Sequence, residues 1–119
     1  MPKLFSDRTL PACCPFCGAE ILPPVELEGG QWYDFAGGFC DCGAVFAHDP
    51  TVRNGGAVLL QALVMAAAGD WEKALDLAPG EDYDEGLVRH YNVQAHRVDP
   101  NAFGTLYFIR LHKEPPSAR

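Results

Sequence analysis

Between Asn54 and Gly69 the chain carries no charged side chain, and Ala57 to Ala68 is almost unbroken apolar sequence. Such a run predicts a helix over 55–68 that is either buried on most sides or part of an interface. Asn54 stands where a helix cap belongs. Gly69 stops the helix, and Asp70 opens a second one over 70–77. There Trp71, Ala74, Leu75 and Ala78 fall on one face, before Pro79-Gly80 ends it. Leu87, Val88 and Tyr91 recur at helical spacing and predict a third, short helix over 83–91.

The rest of the chain reads as strand and turn. Val25-Glu26-Leu27-Glu28 alternates apolar and acidic residues like a half-buried strand, after an interruption at Pro23-Pro24. Gly29-Gly30 signals a hairpin, and Trp32, Tyr33, Phe35 and Phe39 predict the return strand over 31–39. Ala44 to Ala47 reads as one more short strand. Near the C-terminus, 93–98 and 105–111 are expected to pair as a hairpin across the turn chemistry of Asp99-Pro100-Asn101. Residues 1–12 read as an irregular lead-in and the tail from Pro115 as unstructured.

Charge changes the picture in one respect. The chain of 119 residues has a formal charge of -7. Residues 70–85 hold seven acidic and one basic side chain, and 86–119 hold five basic and two acidic ones. The two segments are expected to lie against each other and neutralise. The overall negative charge disfavours nucleic acid phosphates and anionic membranes as partners. No run approaches the roughly 20 apolar residues that span a bilayer, and Met1 to Ala12 lacks the apolar core of a signal segment. A cytoplasmic protein with reduced thiols fits these features.

The chemistry lies in the cysteines. Cys14-Pro15-Phe16-Cys17-Gly18 and Cys40-Asp41-Cys42-Gly43 are two close pairs, each followed by glycine. A short turn places two sulfurs on one side of an ion, its free N–H groups can bond to the sulfurs, and the glycine lets the chain turn away. The second pair is one residue shorter than the usual Cys-x-x-Cys, which leaves the ligand geometry at Cys42 open. Cys13 reads as an alternative ligand, a reactive thiol or a mere neighbour.

These residues resemble the two knuckles of the zinc ribbon class, over about residues 12–47. The resemblance implies one zinc per chain held by Cys14, Cys17, Cys40 and Cys42, with iron as the alternative occupant of the same four-sulfur cage. It also implies a module that binds protein or nucleic acid. The remainder, with Ala47 to Pro50 leading into the apolar helix and the Gly69-Asp70-Trp71 turn, is taken to resemble a bacterial family of unknown function.

The expected fold is α+β. A zinc ribbon with its lead-in fills 1–48, and it packs on a helical layer and a C-terminal hairpin drawn from 49–119 as one compact unit. The expected function is non-catalytic: a structural metal and a protein partner or self-association, with the apolar helix as the docking surface. Nucleic-acid binding and iron-based electron transfer are the alternatives.

Little else competes. Serine occurs only at Ser6 and Ser117, and no phosphate-binding loop or zinc-protease motif is present. His48-Asp49 reads either as a cation or general-base pair or as a turn leading into the helix, with Pro50 at its first position. His90, His96 and His112 read as surface or satisfied core histidines. Glu81, Asp82, Asp84 and Glu85 read as a solvated loop. Arg97, Arg110, Lys113 and His112 beside Tyr107 and Phe108 form the one basic–aromatic cluster. Its two rings are expected on opposite strand faces, the buried one against the 57–68 helix.

Overall fold

A computed structural model describes residues 9–27, 33–51 and 53–112. The Gly29-Gly30 hairpin turn, Trp32, the first part of the lead-in and the tail from Pro115 lie outside the described residues. The elements run in the order β1 (Leu10–Pro11), β2 (Gly37–Phe39), β3 (Val45–Asp49), α1 (Gly55–Ala66), α2 (Trp71–Asp76), β4 (Tyr83–Asn92), β5 (Arg97–Val98) and β6 (Gly104–Leu111). All six strands join one antiparallel sheet in the order β1-β5-β4-β6-β3-β2. The fold is mixed α and β, as expected.

Strand alternation divides the core in two. On one face Phe46, Leu106, Phe108 and Tyr91 meet Ala12, Cys14 and Ile21 from the first knuckle and its flanks. The Phe46 and Phe108 rings lie 5.0 Å apart. Burying each such ring contributes about 1.5–3 kcal/mol. On the other face Val45, Ala47, Ile109 and Tyr83 meet Val58, Ala62 and Met65 of α1. The sheet therefore stands between the cysteine knuckles and α1. The arm joining the knuckles reaches the helical side, where Leu27, Tyr33 and Phe35 pack with α1 residues. Gln61, buried in mid-helix, fastens that arm. Its Oε1 accepts from the Phe35 N–H at 3.0 Å, and its Nε2 donates to the Phe35 carbonyl at 2.7 Å.

α1 forms close to where its apolar run predicts and is enclosed on nearly all sides, with only Gly56 and Ala57 exposed. Most of its residues are buried or half-buried, so its main role is core. Its start differs from expectation. The Asn54 side chain makes no cap bond and donates instead to Thr51 Oγ1. The fully buried Asp49 carboxylate organises the approach, accepting from the Thr51 N–H, the Thr51 hydroxyl and the Asn54 N–H. Pro50 accordingly lies well before the first helical residue. Asp70 does cap α2, accepting from the Lys73 N–H at 3.1 Å.

The region after α2 departs most from expectation. Residues 83–91 form no helix; they are most of β4, the longest strand. β4 pairs with β6, from Tyr83 opposite Leu111 to Tyr91 opposite Gly104. The expected hairpin of 93–98 with 105–111 is absent. β5 is only two residues and pairs with β4 and β1. β6 pairs instead along β4, which carries a bulge at Arg89/Tyr91, where His90 takes a left-handed φ of 61°. The bulge turns Tyr91 to the knuckle face, although Tyr83 and Leu87 point the other way. Among the described residues the expected 25–28 strand is represented by one bridge, Val25 with Gly37, and the expected return strand by Gly37–Phe39. Phe108, the buried ring of the basic–aromatic cluster, packs on the knuckle side, and half-buried Tyr107 faces α1.

Opposite charges from the acidic and basic segments do meet. Asp84 stands across from Arg110, and its carboxylate lies 3.0 Å from His112 Nε2.

Candidate metal centre

Two turns of nearly identical construction bring the cysteines together. Each ends in Cys-Gly-Ala. In the first, Cys14 N–H donates to Ala19 C=O and Gly18 N–H to Cys14 C=O, both at 2.8 Å. In the second, Cys40 N–H donates to Ala44 C=O at 2.8 Å and Gly43 N–H to Cys40 C=O at 2.9 Å. The one-residue-shorter turn thus closes with the same two bonds, and the uncertainty the spacing raised about Cys42 does not bear on the turn. Gly18 and Gly43 sit at φ 80° and 99°, a conformation that side chains with a Cβ rarely adopt.

The Sγ atoms of Cys14, Cys17, Cys40 and Cys42 all lie within 4.8 Å of one another. Cys14 and Cys42 are 3.7 Å apart, and Cys17 and Cys40 are 3.6 Å apart. A tetrahedron with metal–sulfur bonds of about 2.3 Å has edges of about 3.8 Å, so the donor set fits a four-sulfur metal ion. All five cysteines are free thiols, and Cys13 stands apart from the group, its backbone bridged to Glu20.

The surroundings of the sulfurs also suit a cation. Burial pushes the Cys14 thiol up, against backbone bonds from Cys17 and Phe16 that pull it down. The Phe16 N–H lies 3.4 Å from Cys14 Sγ. The Cys42 backbone bond pulls Cys40 down, but burial and the adjoining sulfurs leave it pushed up to about 12. Cys42 is opposed by burial, yet the Ala44 N–H and its three sulfur neighbours bring it down to about 7. Four thiols this close share protons, and a divalent ion replaces those protons on binding.

The first knuckle is fixed to the sheet by shape. A Cβ on Gly86, in the middle of β4, would lie 2.6 Å from Cγ of Pro15. Glycine there lets the knuckle lie against the strand. Arg110 of β6 places its guanidinium 4.9 Å from the centre of the Phe16 ring, a cation–π contact beside a site that would carry net negative charge. Cys14 is buried and Cys17 exposed, so the site is seated in the core on one side and meets solvent on the other. Sequence reasoning missed Gly86, since an isolated strand glycine signals close backbone approach but not its partner. It assigned Arg110 to Tyr107 and Phe108 rather than to Phe16.

Other candidate residues separate. His48 and Asp49 point to opposite faces of β3 and form no pair. Asp49 holds the turn before α1, while His48 sits edge-on to Tyr91 with ring centres 5.4 Å apart. Burial lowers the His48 pKa, partly offset by Asp49. His96 is a satisfied histidine. Tyr91 Oη donates to its Nδ1, and its Nε2 donates to the Ile21 carbonyl at 2.7 Å. This joins the segment after the first knuckle to the β4–β5 turn. Burial pushes the Tyr91 phenol up to about 12, so it remains a donor at neutral pH. His90 and His112 lie exposed. Asp82 is tied to the Ala78 N–H, so the acidic loop is partly structured.

No helix among the described residues is long and apolar enough to cross a membrane. No family model matches the chain, and comparison with curated proteins and with solved structures returns no match. The expected bacterial family finds no support there, and the likeness to a zinc ribbon rests on the four-cysteine cluster itself.

Proposed function

We propose that the protein is a non-catalytic, cytoplasmic binding module whose shape depends on one structural zinc ion, held by Cys14, Cys17, Cys40 and Cys42. The observation that carries this reading is the convergence of the four sulfurs at the edge of a core cluster that contains Cys14 itself. Four thiolates fill a tetrahedral ion and leave no position for water or substrate, which is the mark of structural rather than catalytic zinc. Ordering this segment by metal adds to the small apolar area its short loops can bury.

The partner in this reading is another protein. Support comes from apolar side chains left in solvent around the arm and its edge strand: Leu22 is 78 % exposed, Phe39 63 % and Val25 57 %. β2, which carries Phe39, is an edge of the sheet.

Elemental mass spectrometry on protein purified without added metal, with native mass in parallel, tests the reading. About one zinc per chain is expected. One iron would replace the structural reading by electron transfer, and no metal with intact thiols would remove it. Nucleic-acid affinity that falls steeply with salt would replace the protein partner.

A further inference from the structure

A second candidate site lies on the helix-bearing face of the sheet, beside the start of α1, where Gly55 abuts the Tyr107 hydroxyl. Here β4 and β6 run side by side, with Arg89 directly opposite Thr105 and Leu87 directly opposite Tyr107. Opposed residues on adjacent strands hold their Cβ atoms about 4.5–5.5 Å apart and share a face. These four side chains, with His90, Ala102 and Phe103, line a hollow of about 280 Å³.

Two of its polar groups lack partners. Thr105 is only 3 % exposed, yet its hydroxyl finds no hydrogen-bond partner among the described residues. The hydroxyl is not among the buried unsatisfied groups, so it keeps contact with the hollow and is free to bond a molecule that enters there. Arg89 forms no ion pair with any described carboxylate, although the chain as a whole is acidic. No acidic side chain lines the hollow, and the carboxylate of buried Asp49, opposite Thr105 on β3, is taken up by donors from Thr51 and Asn54. Around these donors the lining is apolar: Leu87, the Tyr107 ring, and Phe103, which is 75 % exposed at the rim.

The bulge in β4 builds the third wall. His90 accepts from the Asp99 N–H through its carbonyl at 2.7 Å, and its Nδ1 donates to the Ala102 carbonyl at 3.0 Å. The left-handed residue thereby ties the β5–β6 turn to β4 and sets Phe103 over the hollow. Bulges recur where a strand must re-aim its neighbours at a binding site.

We propose that this hollow binds a small carboxylate with an aromatic or branched apolar body. The Arg89 fork and the Thr105 hydroxyl donate to the carboxylate, and Leu87, Tyr107 and Phe103 enclose the body. The volume lies just under the usual range of small-molecule sites, about 300–1,000 Å³, which suits a ligand of amino-acid size. The site lies on the opposite face from the cysteines, so the proposal stands independently of the metal.

The test is a titration of the full, metal-loaded, ¹⁵N-labelled chain with sodium phenylacetate, followed by amide resonances. Sodium acetate and benzyl alcohol are titrated separately, as carboxylate and apolar body alone. Saturable shifts at 87–90 and 102–107 are expected, with millimolar affinity. Arg89→Gln, at an exposed position, should weaken phenylacetate by about tenfold or more and leave distant resonances in place. Thr105→Val should weaken it severalfold. Acetate and benzyl alcohol should each bind at least about tenfold more weakly than phenylacetate. The proposal is overturned by no saturable shift at these residues, by undiminished affinity in either variant, or by acetate or benzyl alcohol binding as well as phenylacetate.

Discussion

The two faces of the sheet are covered by opposite means. One carries α1, a helix so apolar that it needs little beyond area and shape to stay in place. The other carries two short turns and their flanks, which bring fewer large apolar groups: Ala12, Cys14, Ile21 and part of Phe16. Regular structure with a long apolar stripe covers a face by burial. Irregular structure needs point attachments, and here these are the sulfur cluster, the seat over Gly86, and His96 bonded to Ile21. In the reading proposed here, the difference teaches that stability in one small fold can be divided between a solvent-driven half and a ligand-driven half.

That division can be broken most severely at the cysteines. Apparent binding energies of structural zinc in small domains reach about 10–16 kcal/mol, comparable to the whole stability of a protein this size, about 5–15 kcal/mol. Cys40→Ser, or a strong chelator, should free the knuckles and unfold the protein or leave its knuckle face molten. Circular dichroism and thermal melts would record this, and an unchanged melt would show that metal does no structural work.

Ile109→Ala should cost about 2–5 kcal/mol, because Ile109 is fully buried against α1. It should leave metal stoichiometry unchanged, since the helix face and the knuckle face are separated by the sheet. Denaturant melts combined with metal analysis would show both; loss of metal would mean the faces are not independent.

Gly86→Ala strikes the knuckle face without touching a ligand. Its new methyl meets the rigid Pro15 ring, at a cost of about 1–3 kcal/mol. Metal release to a competing chelator should become easier, whereas an unaltered chelator titration would show that the seat over β4 is immaterial.

The smallest effect concerns pH. Burial holds the His48 pKa below that of the unfolded chain, so between the two values the unfolded state binds more protons. The stabilisation is complete above about pH 6.5 and is lost as pH falls through the lower, folded value. Melts of wild type and His48→Phe between pH 5 and 8 should differ in slope, the wild type losing more on acidification. Parallel curves would contradict this.

Different parts of the molecule were legible to different degrees. The cysteine pairs were plain because metal-ligand spacing is a local property, set by the turn and its glycine. α1 was plain because a run without charge from Asn54 to Gly69 has few other uses. β4 was hidden by its bulge. Regular alternation would put Tyr83 and Tyr91 on one face, but the left-handed His90 inserts an extra step and sends them to opposite faces. What remained, Leu87, Val88 and Tyr91, mimicked a helical period. The division of labour between the faces was hidden too, because it depends on which strands become neighbours. Gly86 and Arg110 acquire their roles only once β4 and β6 lie under Pro15 and Phe16.

The strand order has a consequence for assembly during synthesis. β6, the last strand among the described residues, is the inner partner of both β3 and β4. While the ribosome is still making Gly104 to Leu111, β3 can pair only with β2, and β4 has no route to β3. Both knuckles are synthesised some 60 residues earlier, since Cys42 precedes Gly104 by that distance. The nascent chain thus has its complete set of sulfur donors long before it has a sheet to lay them on. In the reading proposed here, metal capture comes first, and arrival of β6 closes both faces at once.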